Sequence, residues 1–222
     1  MIECAVWWAE PLPNEPRFLA LLDPLEQGRH GAYRKEIDQR RFLTGRVLAK
    51  TVLAGRRGVA PEAVTFDATC DDCGKPHGKP RLAGVEFSIS HSGDRIGLAV
   101  STVPVGLDVE TDTRRADDSL IGYALNETEQ QALAGLPADE RISTFFQYWS
   151  RKEALMKATG RGLKIALRSI TLSGAELVDC TDDALDPATT RLADLDPGPG
   201  YRGAVAALTA DDLKITETWW KP

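Results

Sequence analysis

The sequence predicts an α+β fold built from two halves that meet near Pro104, residues 1–104 and 105–222. Three observations predict it. Strand-like alternation opens the chain and recurs on both sides of Pro104. Long stretches with helical periodicity sit inside each half. The order then reads strand, long helix, strands, followed by helix pair, strands. With 222 residues, 42% of them hydrophobic, the chain can bury one large core or two small ones.

Ile2 to Ala9 reads as a strand, broken by Pro11, Pro13 and Pro16. Phe18 to Leu25 is a short helix or turn. Gln27 to Gly55 reads as mostly helical, with Tyr33, Ile37, Phe42, Leu43, Val47, Leu48 and Val52 forming a broad apolar stripe. Arg34, Lys35, Arg40, Arg41, Arg46 and Lys50 surround it, mostly as a solvated face. Pro61 suits a helix start, and Val64 to Phe66 a strand. Val85 to Ser90 and Ile96 to Ser101 are strands around the turn Ser92-Gly93-Asp94, and Val103-Pro104 turns into a third strand of the same meander, Val105 to Glu110.

The second half continues with the polar stretch Thr111 to Asp118. Leu120 to Leu125 is apolar enough to be a binding surface. Asn126 caps a helix over Glu127 to Leu136, with Glu129 completing a capping box. A further helix runs from Asp139 through Phe145, Phe146 and Trp149, and Gly160 and Gly162 end it. Ser169 to Leu172, Ala175 to Asp179, Tyr201 to Thr209 and Leu213 to Trp219 read as strands, interrupted by a Pro/Asp-rich loop over Asp182 to Gly200.

Charge and composition exclude several classes. A net charge of −6 and a pI near 5.2 argue against a general nucleic-acid binder, while leaving room for a local basic pocket. No apolar run is long enough to span a bilayer, and the N-terminus lacks the basic-then-apolar pattern of a signal peptide. Four cysteines in an otherwise ordinary chain suggest reduced thiols and a cytoplasmic protein, with no membrane partner.

The chemistry concentrates in a few stretches. In WSRKEALMKATGRGL, from Trp149 to Leu163, the residues Trp149, Glu153 and Lys157 fall at i, i+4 and i+8 of a helix, on one stripe. In VGLDVE, Asp108 and Glu110 project from one face of a strand. Two carboxylates side by side repel unless a cation lies between them. A Mg²⁺ site, with Mn²⁺ as the alternative ion, suits two or three carboxylates completed by water and phosphate oxygens. Glu153 can supply the third. Cys70, Cys73 and His77 form a C-x-x-C with a histidine four residues on, which invites zinc. His91 is the only other plausible ligand nearby, so the expectation is a tight loop with two free thiols that positions Lys79.

Read alone, these residues leave two readings open. One is another Mg²⁺-dependent, nucleotide-processing hydrolase, although no G-x-x-x-x-G-K-[ST] loop is present. The other is a non-enzymatic, zinc-clipped binding module.

The G-x-D-x-E of Gly106 to Glu110, followed downstream by the W-S-x-K-E-A-x-x-K of Trp149 to Lys157, resembles the 4′-phosphopantetheinyl transferases of the surfactin-synthetase (Sfp) type. Phe87 to Gly93, FSISHSG, and Gly78-Lys79-Pro80 are similar to two further family segments, in the same order. The resemblance spans roughly Arg40 to Leu163 and implies two similar α+β halves related by a pseudo-twofold axis, with the active site in the cleft between them. It implies transfer of 4′-phosphopantetheine from coenzyme A to a serine of an apo acyl or peptidyl carrier protein, with adenosine 3′,5′-bisphosphate leaving. Asp108, Glu110 and Glu153 would hold Mg²⁺, and Glu153 would take the serine proton. Lys157 would stabilise charge on the diphosphate, and Lys152 would hold another phosphate oxygen. Arg41 and Arg46 are candidates for the coenzyme's phosphates, Lys79 for an anionic group or the adenine edge, and Ser90 and His91 for a phosphate oxygen. The carrier would dock on Leu120 to Leu125 beside Arg114 and Arg115. Two fused halves suggest a monomer.

Overall fold

Two sheets repeat one order of strands. The computed structural model describes every residue except Asp71 and Arg114, and not the side chain of Leu163. In the first sheet β2 (Glu86–Ser92), β3 (Arg95–Ser101), β1 (Ile2–Ala9) and β9 (Leu213–Trp219) lie in the order β2-β3-β1-β9. In the second, β7 (Thr190–Leu195), β8 (Tyr201–Leu208) and β4 (Val105–Thr111) lie in the order β7-β8-β4. The central strand of each trio is antiparallel to both neighbours. A small hairpin, β5 (Ile170–Ser173) and β6 (Glu176–Cys180), completes the β structure among the described residues.

The helices repeat too. The first half carries α1 (Pro16–Leu19), α2 (Pro24–Ala32) and α3 (Glu36–Arg57); the second carries α4 (Asp118–Ala124), α5 (Glu127–Ala134) and α6 (Ala138–Thr159). Both long helices have 22 residues and end on a left-handed glycine, Gly58 and Gly160. Each is preceded by a helix with a complete capping box, Asp23 with Glu26 and Asn126 with Glu129.

Four apolar clusters hold this together, one of them packing Phe18 and Leu22 against Leu43 and Val47 of α3. One packs α6 against β5, β6 and β8 and another packs α3 against β2 and β3. A third, with Val6, Trp8, Leu107, Val109 and Val205 at its centre, joins the two sheets and so fuses the halves. Burial of this apolar surface is the main driving force that fixes the cleft.

Several expectations need correction. The helix expected over Gln27 to Gly55 is two helices, because Tyr33 and Lys35 adopt extended backbone between them. Val64 to Phe66 forms no strand; the pairing nearby is a lone bridge from Asp67 to Arg81. The strand Val105–Thr111 does not continue the meander, since it pairs with β8 of the other sheet. Inside the expected loop 182–200, Thr190–Leu195 forms an edge strand. The division at 104 and 105 would leave Leu213–Trp219 in the second half, yet that strand returns to pair in parallel with β1.

Candidate active site

The seam between the sheets is built by serines at every second position of β2. Their hydroxyl oxygens accept from backbone N–H groups of β4: Ser88 from Leu107 at 3.0 Å, Ser90 from Val109 at 3.3 Å and Ser92 from Thr111 at 3.3 Å. A strand edge that would otherwise expose its donors is thereby satisfied by side chains. The same period of two aims Ser90 and Ser92 at the carboxylates of Asp108 and Glu110. Ser90 donates to Asp108 Oδ1 at 3.0 Å, and Ser92 to Glu110 Oε2 at 2.8 Å.

Helix α6 lies directly on this strand. A Cβ at Gly106 would stand 2.0 Å from the Ala154 carbonyl oxygen and 2.4 Å from the Ala158 nitrogen. Only glycine lets the helix approach so closely, and the approach is what brings Glu153 and Lys157 to Asp108. Lys157 Nζ donates to Asp108 Oδ1 at 2.7 Å and to Ser90 Oγ at 3.0 Å. Asp108, Glu110, Trp149, Glu153 and Lys157 line one open pocket of about 330 Å³ together with Ser90 and His91.

Charge in the pocket is out of balance. Burial pushes the Glu153 carboxyl above its ordinary range, and the Asp108 and Glu110 carboxylates push the same way against Lys157. The second oxygen of Asp108, Oδ2, is buried and has no hydrogen-bond partner. An unsatisfied buried carboxylate oxygen is costly and fits a cation ligand. The carboxylates are not a closed cage: among the described residues the one trio of His, Cys, Asp or Glu whose ligand atoms all lie within 4.8 Å is Cys70, Cys73 and His77. A wider carboxylate set suits Mg²⁺, which keeps waters and substrate oxygens in its shell.

His91, next to last in β2, lines this pocket and a neighbouring one of about 170 Å³, so the two form one groove. The second pocket is basic and aromatic, lined by Arg29, Tyr33, Arg41, Phe42 and Arg46 with Gly78 and Pro80. The crowded cleft wall, then the Lys157 and Arg41 cations, hold the His91 imidazole below its usual pKa. Arg41 donates to the Gly93 carbonyl at 2.7 Å and pairs with Asp38 at 2.8 Å. Arg46 stands over the rings of Phe42 and Phe66 and ion-pairs with buried Glu26 at 3.4 Å. Arg29 and Tyr33 complete the pocket, a role the apolar stripe containing Tyr33 does not reveal, whereas the period-two spacing of Ser88, Ser90 and Ser92 is a signal that could have found the serine seam.

Two basic residues are placed elsewhere. Lys152 is fully buried on the far side of α6, where its ammonium donates to the Ala124 and Leu167 carbonyls and pairs with Glu129. It cannot hold a phosphate oxygen from there. Lys79 spends its ammonium on the carbonyls of Val105 and Lys157, both at 3.0 Å, so it ties the halves together and does not present a free cation to an adenine or phosphate. Burial lowers its pKa accordingly. Leu120 to Leu125 is not a free apolar face either: Ala124 and Leu125 are in the core, and Tyr123 is its exposed aromatic, at 56%. Arg115 is exposed, while Arg114 lies outside the described residues.

A family model described as the 4′-phosphopantetheinyl transferase superfamily matches residues 104–209, from the start of β4 to the end of β8. Over 179 residues the chain is 32% identical to the 4′-phosphopantetheinyl transferase psf-1 of Bacillus pumilus, which covers 78% of this chain and 73% of the relative. It is 27% identical over 212 residues to the 4′-phosphopantetheinyl transferase Sfp of Bacillus subtilis, covering 93% and 92%. A phosphopantetheinyl transferase of a Thraustochytrium species is 31% identical over 234 aligned positions, covering 96% and 80%. With 93% of the chain covered, the similarity reaches both halves, and the chain belongs to the 4′-phosphopantetheinyl transferase superfamily.

Proposed function

We infer that the groove is where this chain transfers the 4′-phosphopantetheine group of coenzyme A to a serine of an apo carrier protein. The serine oxygen forms a bond to the β-phosphorus of coenzyme A while the bond to adenosine 3′,5′-bisphosphate breaks. Glu153 takes the serine proton; its raised basicity supports that role. Lys157, free at 31% exposure to meet solvent and already turned toward Asp108, balances charge on the diphosphate as it shifts to the leaving group. Arg41, Arg46 and His91 line the adjoining basic pocket, which supports a place there for the coenzyme's phosphates.

Asp108, Glu110 and Glu153 are the residues that would hold Mg²⁺, and the observation that carries this is the buried, partnerless Oδ2 of Asp108. When bound, the ion neutralises charge on the diphosphate. One chain supplies both walls of the groove, which supports a monomer. The carrier would approach the exposed edge of α4 around Tyr123 and Arg115. A cytoplasmic setting, where thiols stay reduced, completes the proposal.

The test is mass spectrometry of an apo carrier incubated with coenzyme A, Mg²⁺ and this protein. The expected result is a mass gain of one phosphopantetheine. Chelation of the metal, or Asp108→Asn in a folded protein, should abolish most of it. Full turnover in excess chelator would remove the metal assignment while leaving the transfer intact.

A further inference from the structure

Outside the carboxylate pocket, the loop between α3 and β2 gathers the ligand atoms of three side chains. The sulfurs of Cys70 and Cys73 and a ring nitrogen of His77 all lie within 4.8 Å of one another. Cys73 Sγ and His77 Nε2 are 2.9 Å apart. Edges of a tetrahedral zinc site run about 3.5–3.8 Å for bonds of about 2.0–2.3 Å, so the trio needs only small adjustments.

The backbone is folded for this. Gly74, at φ 68°, donates to the Cys70 carbonyl, and Cys70 donates to that of Lys75. The base of the loop is pinned as well. Gly78 donates to the Ala68 carbonyl at 2.7 Å, and a Cβ at Gly78 would meet the Thr69 carbonyl oxygen at 2.8 Å.

We propose that Cys70, Cys73 and His77 bind one Zn²⁺ ion, a site separate from the carboxylate pocket, with the fourth position left to solvent. Two thiolates and an imidazole form a soft-to-borderline set that selects Zn²⁺ over Mg²⁺. Both thiol protons leave to solvent on binding, and His77 binds as the neutral ring with its proton on Nδ1. The sequence expectation of two free thiols rested on the want of a fourth protein ligand, but three protein ligands are enough for an open site. The ion would stiffen the segment that runs directly into Gly78 and Pro80 of the basic pocket.

The test reads metal, not activity. The full chain is purified without added metal, stripped under reducing conditions, and titrated with Co²⁺ and then with Zn²⁺ in competition. The expected result is one ion per chain and a thiolate-to-cobalt charge-transfer absorption. It should be lost in Cys70→Ser/Cys73→Ser, and His77→Ala should weaken binding by roughly tenfold or more. Circular dichroism confirms that the variants fold, and Zn²⁺ should protect loop 70–77 of the wild type, not the double variant, from proteolysis. Equal binding by wild type and double variant, or none by a wild type whose thiols titrate as reduced, overturns the proposal. Recovery of a Cys70–Cys73 disulfide in place of metal binding after full reduction overturns it too.

Discussion

Helices α3 and α6 are two copies of one device with different outcomes. Lys50 and Lys152 stand fourteen residues after the first residue of their helices, Glu36 and Ala138. Each ammonium is buried against the glutamate of the preceding capping box, Glu26 or Glu129, and donates to a backbone carbonyl, Leu21 or Ala124. The positions matching Trp149, Glu153 and Lys157 are Val47, Thr51 and Gly55. What repeats is therefore architecture, and what differs is the stripe that faces the groove. The buried lysine next to Glu153 belongs to the scaffold.

The sharpest way to break that comparison is at the glycines. Gly106→Ala would drive a methyl into the α6 backbone at Ala154 and Ala158. Overpacking against side chains costs about 1–3 kcal/mol, and a backbone clash exceeds that range. The variant should fail to accumulate as folded protein or melt far below wild type. Gly55→Ala on α3 meets nothing within 4 Å and should be neutral or stabilising by up to about 1 kcal/mol. Similar melts for the two variants would show that α6 does not depend on its close approach to β4.

Next come the paired lysines. Lys152→Met strands Glu129 in the core, and removing one partner of a buried pair costs about 3–5 kcal/mol. Lys50→Met should cost less, because Arg46 remains beside Glu26. Urea denaturation measures both. The double variant Lys152→Met/Glu129→Met should recover much of the loss. If Lys152→Met left stability unchanged and reduced turnover alone, Lys152 would be a phosphate contact after all.

The residues show why some of this was legible in the sequence and some was not. Asp108 with Glu110, and Glu153 with Lys157, are local patterns of strand and helix, so periodicity alone put each pair on one face. The same periodicity already turned Lys152 away from Glu153, since neighbours in a helix do not share a face. Its partner Glu129 lies across a different element, which no local pattern reveals. Lys79 had the same difficulty: its acceptors, Val105 and Lys157, are brought to it only by the fusion of the halves. The return of β9 to β1 joins the two ends of the chain and leaves no trace in either strand's composition. The serines of β2 did carry a signal, a hydroxyl at every second position, readable as a bonded edge.

The smallest effect on stability separates the stripe from its scaffold most cleanly. Glu153→Gln should lower kcat by roughly 10²–10⁴-fold if Glu153 is the base. Yet it should raise stability when no Mg²⁺ is bound. The carboxyl's pKa in the fold lies above the ordinary glutamate value of 4.5, chiefly through burial and then Asp108. A raised carboxyl favours the fold while it is protonated, below its unfolded pKa. That contribution is lost as pH rises through the folded value, because the ionised group is then poorly solvated and faces Asp108. Wild type and variant should therefore melt together at about pH 4, and the variant should melt higher at about pH 7. Mg²⁺ should close the gap by stabilising wild type more than the variant. The matching change on the other helix, Thr51→Val, removes no titratable group and should show no such pH dependence. If the two melting curves of the Glu153 pair stayed parallel from acid to neutral pH, the carboxylates would not be repelling one another, and the reason for placing a cation among them would fall.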